Sequence, residues 1–347
     1  MTPKKPKSEN SIVDIAKVLG ISPATVSRAL NNNPRISEAT RQRVKAMAKE
    51  MGYRHNSMAS SLRNRRSNII GLIVPRISMY FHVFFITSLQ RQLQAAGYNL
   101  MICQSNDSVS MEKELANTLY SARVDALVVS LALYTEDIAH FDGFLQQGIP
   151  LVFYDRVPLG ANTPAYIVKG DDYRGGLLAG NHLMQAGCRR IAYISGPQTC
   201  SIYKERTHGF TDALAKEGVS LRDEWIYHQE LTAENAWSSL RRIFDGTNQP
   251  DGLFAANDTT AIAAVEFARE RGIRIPEDLK IIGYSNDPRA AIISPAITSI
   301  EQYPNAMADK VAQTLIDALQ GVPNRSNTAT LAEPLVCPVD LVRRMTT

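Results

Sequence analysis

Apolar residues return at helical spacing in two short runs near the start of the chain. Ile12, Ile15, Ala16 and Leu19 fall at i, i+3, i+4 and i+7, and Val26, Ala29 and Leu30 at i, i+3 and i+4. The pattern predicts two short helices, each with one apolar stripe. Gly20-Ile21 separates them. Ser22 reads as the N-cap of the second helix and Pro23 as its first residue, where a missing N–H costs nothing, while Ser11 with Asp14 marks the start of the first. So short a turn makes the helices cross steeply, which is a helix-turn-helix, and leaves the outer face of the second free to enter a DNA major groove. Pro23, Ala24, Thr25, Ser27, Arg28 and Asn31 lie off or beside the apolar stripe. Arg28 is the long base-reading side chain among them, and a bidentate contact from Arg to guanine is worth roughly 1–3 kcal/mol of discrimination. A third helix is predicted from Ile36 to Gly52, capped by Ser37, with Val44, Met47, Ala48 and Met51 turned inward.

From Asn68 onward strands and helices alternate. Ile69 to Val74, Asn99 to Cys103, Ala126 to Ser130 and Leu151 to Tyr154 read as apolar strands, with helical patterns near 82–96, 111–122 and 137–147. The alternation then repeats. Strands fall near Ile191 to Ile194, Trp225 to Tyr227, Leu253 to Ala255 and Lys280 to Gly283, and helices near 172–187, 203–218, 232–245 and 257–272. The expected fold class is an N-terminal all-α helix-turn-helix domain followed by an α/β domain of two doubly wound parallel-sheet lobes. Each lobe, at about 130 residues, is long enough to bury its own core. Ligands of such folds sit outside the carboxyl ends of the strands, in the cleft between lobes.

Charge separates the two parts. Met1 to Arg66 carries 14 Lys and Arg against 4 Asp and Glu, or +10, and the remaining 24 against 30, or −6, sum with it to the overall +4. A basic head on an acidic body is expected when one domain binds polyphosphate and the other does not. The first ten residues, with Lys4, Lys5 and Lys7, have no apolar core, and no apolar run approaches the ~20 residues of a membrane span. A soluble cytoplasmic protein with no membrane partner is expected. Cys103, Cys188, Cys200 and Cys337 lack metal-ligand spacing and read as buried or incidental thiols. No G-x-S-x-G elbow, Walker A run, strand-linked G-x-G-x-x-G or metal-spaced His pair occurs, so neither catalysis, a cofactor nor a metal is expected. His82 and His208 are placed to edge a cleft.

The residue order in IVDIAKVLGISPATVSRALN, RISEATRQRVKAMAKEMGYRHNSMASSLRNRRS and IIGLIVP resembles the LacI/GalR family of bacterial transcription regulators, and the likeness runs through nearly the whole chain. The resemblance implies a DNA-binding domain over 1–55, a hinge helix and linker over 56–67, and an effector-binding and dimerisation domain of periplasmic-binding-protein-like fold over 68–347. One lobe would take about 68–168 and 302–328, and the other about 169–301 and 329–345. The helix near Tyr303 to Gln320 would then return to the first lobe and the final strands to the second. The implied function is a sequence-specific regulator, expected to be a repressor. It would bind a pseudo-palindromic operator in double-stranded DNA as a homodimer and answer to a small-molecule effector, expected to be a sugar or sugar derivative.

The resemblance also assigns site residues. DNA contact falls to Ser22, Pro23, Ala24, Thr25, Ser27, Arg28, Asn31 and Arg35, and in the linker to Ala59, Leu62 and Arg63. Leu62 would wedge into the minor groove between two hinge helices that Ala59 lets approach. His55 stands where the family usually has proline. Effector contact falls to Met79, Tyr80 and Phe81 after the first strand, to Asp155 in the FYDRVP run, and to Arg206, Asn257 and Ser285 in the second lobe. Met79 replaces a common residue, Cys200 and Ile202 make a less polar lining before Arg206, and Ser285 with Asn286 replaces the frequent GYDD or GFDD. A hydroxyl at 285 disfavours a neutral hexose clamped by a carboxylate there. The competing reading is a sugar-binding module without DNA function; the basic head argues against it.

Overall fold

The computed structural model describes residues 11–53, 67–160, 164–321 and 333–347. It divides between Ser67 and Asn68 into two compact units.

In the first unit α1 (Ile12–Leu19), α2 (Pro23–Leu30) and α3 (Glu38–Glu50) enclose one small core. Ser11 and Asp14 form a complete capping box: the Asp14 N–H donates to Ser11 Oγ at 3.3 Å and the Ser11 N–H to Asp14 Oδ2 at 2.8 Å. Two otherwise orphaned donors are thereby satisfied. Gly20 follows at φ +66°, the left-handed region where a side chain is strained, and so turns the chain at once. Ser22 Oγ accepts from the Thr25 N–H at 3.1 Å to start α2; such a cap contributes about 1 kcal/mol. The three stripes meet at Ile15, Leu19, Val26, Ala29, Val44 and Ala48, with Ile21, Ile36 and Tyr53 packed around them.

The second unit holds two six-stranded sheets. The first contains β1 (Ile69–Val74), β2 (Asn99–Gln104), β3 (Ala126–Val129), β4 (Leu151–Tyr154), β5 (Tyr166–Gly170) and β11 (Leu335–Cys337), in the order β11-β5-β4-β3-β1-β2. The second contains β6 (Ile191–Ser195), β7 (Ile226–His228), β8 (Gly252–Ala255), β9 (Lys280–Tyr284), β10 (Thr298–Glu301) and β12 (Asp340–Val342), in the order β12-β10-β9-β8-β6-β7. All pairings are parallel except that of β12 with β10. Central strands are apolar along their length because both faces are covered. On β1, Ile70, Leu72 and Val74 join one core with Phe85, Leu89, Val311 and Leu315, while Ile73 joins another with Leu119, Phe141 and Phe144. That is the two-residue alternation of a strand.

The helices between strands are α4 (Tyr80–Ala95), α5 (Val109–Ser121), α6 (Asp142–Gln146), α7 (Asp172–Gln185), α8 (Ser201–Lys216), α9 (Ala233–Phe244), α10 (Asp258–Arg271), α11 (Pro288–Ile292) and α12 (Pro304–Gln320). The chain crosses between lobes after β5, after β10 and after β11. α12 packs on α4 and so returns to the first lobe. One expectation is corrected: β11 pairs with β5, Leu335 opposite Val168, so Leu335–Cys337 belongs to the first lobe and only β12 returns to the second. A three-residue strand carries too little pattern to declare its sheet. The helix expected over 137–147 is a 3-10 turn, Ala139–Phe141, running into the short α6, and Trp225 ends a 3-10 turn before β7.

α7 and α8 lie unusually close. A Cβ on Gly176 would fall 2.0 Å from Arg206 O, and one on Gly209 would fall 1.8 Å from Tyr173 O. Both neighbours are backbone atoms and cannot swing aside. Gly209→Ala is therefore expected to destabilise the second unit by about 3 kcal/mol or more, the upper end of overpacking costs, as read from urea unfolding. An unchanged midpoint would mean the helices separate without penalty.

Candidate functional site

On the first unit the outer face of α2 is open. Ser22, Pro23, Ala24, Arg28, Asn31 and Arg35 are exposed, and Thr25 and Ser27 are half-buried. Their roles differ. Ser22 and Thr25 are committed to the cap, sharing a hydroxyl hydrogen bond of 2.9 Å in addition to the one to the Thr25 N–H. Asn31 is the C-cap of α2. Arg41 pairs with Glu38 at 2.5 Å, and Arg43 donates to Leu19 O at 3.4 Å. The guanidinium groups of Arg28 and Arg35, by contrast, make no hydrogen bond or ion pair among the described residues. Ala59, Leu62 and Arg63 of the expected hinge lie outside the described residues.

On the second unit, a narrow cleft with room for about 30 Å³ lies between the carboxyl ends of the two sheets. It is lined by Met79, Phe81, Asp155, Arg206, Asn257 and Ser285, all expected there, together with His82, Arg156, Ile202, Tyr203 and Gln302. Tyr80 is the expected residue that does not line it; its ring packs on Phe84 at 4.7 Å between centroids. Cys200 lies in the core of the second lobe.

The cleft is built at strand ends. Met79, Phe81 and His82 follow β1 at the start of α4; Asp155 and Arg156 follow β4; Ile202, Tyr203 and Arg206 come from the first turns of α8 after β6. Asn257 follows β8, Ser285 follows β9 and Gln302 follows β10. Asp155 sits at φ +55° and Ser285 at φ +103°. Strained backbone of this kind, costing on the order of 1–3 kcal/mol, gathers where side chains must be aimed at a ligand.

Arg206 is 2% exposed. Its Nε donates to Asp172 Oδ1 at 2.8 Å and its Nη1 to Ala256 O at 2.8 Å, while the guanidinium stands 3.6 Å over the Tyr284 ring. The Tyr284 hydroxyl donates to the same Asp172 oxygen at 3.1 Å. Burial pushes the Asp172 carboxyl up and Arg206 holds it back. Asn257 accepts from the Thr260 N–H at 2.9 Å, capping α10, and donates to Leu231 O at 3.1 Å. Its rigid place in the wall follows from that cap. The Ser285 hydroxyl donates to Gln302 Oε1 at 2.8 Å.

On the facing lobe, Arg156 donates from Nη1 to Asp107 Oδ1, and Asp107 Oδ2 accepts from Arg76 Nε at 3.1 Å. Arg76 Nη2 then reaches Glu230 Oε1, across the cleft in the second lobe, at 2.6 Å. The Val157 N–H also crosses, donating to Ser201 Oγ at 3.0 Å. His82 Nδ1 is 3.1 Å from the Tyr154 hydroxyl, and burial, with Arg156 nearby, lowers its pKa to about 3, so it is neutral. His208 is exposed and pairs with Asp212 on α8, away from the cleft lining. Sequence reasoning left Arg156, Tyr203, His82 and Gln302 out of the contact set. Arg156 follows Asp155 directly in FYDRVP, whereas Gln302 has no local signal, since a chain crossing is what brings it to the cleft. Among the described residues, no cluster of His, Cys, Asp and Glu could hold a metal, and no helix is long and apolar enough to cross a membrane.

The profile of the family described as "Bacterial regulatory proteins, lacI family" matches residues 11–56, and that of a "Periplasmic binding protein-like domain" matches residues 181–347. The HTH-type transcriptional regulator DegA of Bacillus subtilis (strain 168) is 33% identical over 85% of this chain and 87% of its own. A solved transcriptional regulator CelR–cellobiose complex is similar with a TM-score of 0.72 at 27% identity, over 98% of this chain and 100% of that one. The Lac repressor dimer bound to operator and the anti-inducer ONPF shares the fold, with a TM-score of 0.85 at 21% identity over 98% and 99% of the two chains.

Burial lifts the Asp155 carboxyl to about 6, with Arg156 opposing, and lifts Asp258 to about 7 against hydrogen bonds from the Asp287 N–H and the Ser299 hydroxyl. A carboxyl raised above the usual ~3.9 favours the folded chain when protonated. The resulting stabilisation is complete below about pH 4 and is lost as pH rises through the two raised values. Wild-type stability against urea should therefore fall between about pH 5 and about pH 8, and Asp258→Asn should narrow that fall by about 1–3 kcal/mol. An unaltered pH slope in the variant would place the titration elsewhere.

Proposed function

The chain belongs to the LacI family of bacterial regulatory proteins, and from that premise we propose that it is a repressor, binding a two-fold symmetric operator as a homodimer and switched by a sugar-type effector held between the lobes. Its relatives are transcriptional regulators rather than enzymes. The observation that carries the proposal is the cleft, whose two walls present buried, hydrogen-bonding side chains to a common space and are linked across it by Arg76–Glu230 and Val157–Ser201. Such a site favours whichever lobe spacing fits its ligand, and differential affinity for two spacings is what a switch requires. A coupling of about 1–3 kcal/mol is typical. The cellobiose bound by the relative CelR supports a sugar as the ligand class.

The DNA reading rests on the open face of α2 in a strongly basic head. Phosphate contacts from that head supply affinity, and Arg28, with no protein partner among the described residues, supplies base discrimination. Pairing of two copies places two such helices on half-sites related by symmetry. The first lobe offers the surface for that pairing. β2 is an edge strand with Met101 and Ile102 exposed, and α4 packed beside it exposes Val83 and Phe84. An unpaired edge next to apolar side chains is unfavourable in water, and a second copy turned by two-fold symmetry covers it.

Selection of bound sites from random duplex DNA by the full chain, at two salt concentrations, tests the proposal. A two-fold symmetric site whose binding weakens steeply with salt is expected. Arg28→Ala should cost about 1–3 kcal/mol at one or two positions in each half-site. Equal loss on all sequences would make Arg28 a phosphate contact, and no enrichment at all in the presence of pooled sugars would remove the DNA reading.

A further inference from the structure

Hydrogen bonds within the protein leave the cleft with open donors and few open acceptors. Arg156, 4% exposed, has Nη1 on Asp107, but its Nε is buried without any partner among the described residues. Arg206 has Nε and Nη1 committed, and no protein acceptor among the described residues meets its Nη2. Gln302 receives the Ser285 hydroxyl at Oε1 and keeps its Nε2 donors. The acceptors are mostly taken. Asp107 faces Arg76 and Arg156, Asp172 faces Arg206 and Tyr284, and the Asn257 oxygen caps α10. Asp155 alone is weakly held, by Ser130 at 3.4 Å. A buried cationic N–H left without an acceptor is costly, so this arrangement waits for a ligand that brings one.

We infer that the effector is a monosaccharide bearing a carboxylate, with the carboxylate received by Arg156 and Arg206 and ring hydroxyls by Asp155 and Gln302. The inference rests on the cleft being the effector site. Planar guanidinium groups match a carboxylate with directional, charge-assisted hydrogen bonds. A phosphate would fit less well, because a second negative charge would face Asp155 with Asp107 and Asp172 close behind. Ser285 contributes by what it is not: a hydroxyl already bonded to Gln302 neither repels an anion nor chelates neighbouring hydroxyls.

Calorimetric titration of the full chain with D-glucose, D-galactose, D-glucuronate, D-galacturonate and D-glucose 6-phosphate provides the test. At least one acid should bind about tenfold or more tightly than its neutral parent, the increment of one charge-assisted hydrogen bond. Arg156→Lys, which keeps a cation but removes the Nε–H, should reduce that preference at least about tenfold. Gln302→Glu is the second variant; it adds a negative charge to the cleft and should abolish acid binding, with thermal melting as the check on folding. Neutral sugars binding as tightly as their acids, the phosphate binding most tightly, or no member binding would each overturn the inference. Operator binding measured alongside keeps the two readings apart. A neutral sugar that releases DNA overturns the carboxylate and supports the regulator, whereas an acid that binds as expected without altering DNA occupancy supports the carboxylate and overturns the switch.

Discussion

The second lobe depends on two helix backbones being able to touch. Gly176 on α7 and Gly209 on α8 leave no side chain between the helices, which ordinarily pack about 8–10 Å apart. The approach brings Asp172, in the first turn of α7, to 2.8 Å from Arg206 on α8, and Gly175 leaves room for Tyr284 beside them. A helix pair held further apart would leave the guanidinium buried without its counterion, an arrangement costing several kcal/mol. Asp172 follows directly on the first chain crossing after β5. The same contact therefore anchors the crossing, supports one wall of the cleft and fixes its principal cation.

A second set of contacts relates that wall to the facing one. The chain of charges from Arg156 through Asp107 and Arg76 ends on Glu230 in the other lobe. Glu230 and Arg76 are partly exposed, so this last link is screened and weak by itself. The switch proposed above would need such weakness, since a link made and broken with lobe spacing cannot be worth much more than the coupling it serves. The loop after β3 is held differently. Glu112, fully buried, accepts from the Ala132 N–H at 2.6 Å and the Thr135 hydroxyl at 2.8 Å, with His140 Nε2 at 3.1 Å. So fastened, the loop carries Leu133 into the core of the second lobe. The two lobes are thus joined by an apolar contact on a fastened loop as well as by the polar ones.

The legible and illegible parts of the cleft divide along one property. Met79, Phe81, Asp155, Asn257 and Ser285 follow strands whose apolar runs mark their own ends, and Arg206 lies in the first turns of the helix after β6, so place in sequence already gives place in the cleft. Tyr80 lies beside the lining and not in it, its ring packed on Phe84 one helical turn on. Gln302 and the role of Arg156 were hidden because they depend on partners far along the chain: Ser285 for the first, Asp107 for the second. β11 was assigned to the wrong sheet for the same reason, three residues having no say in which edge they join.

The sequence by itself determined the local chemistry. Apolar spacing, caps at Ser11, Ser22 and Ser37, and the basic head specify three helices with a reading face, and the alternation of strands and helices specifies two α/β lobes, because these depend on neighbours within a few residues. Tertiary structure alone decided which atoms remain unpaired. Whether Arg28 is open while Arg43 reaches Leu19 O, and whether Arg156 keeps a donor without an acceptor, is settled by groups that meet only after the chain has folded. Hydrogen-bond satisfaction is a property of the whole assembly of side chains, so no stretch of sequence shows by itself which donors and acceptors are left over.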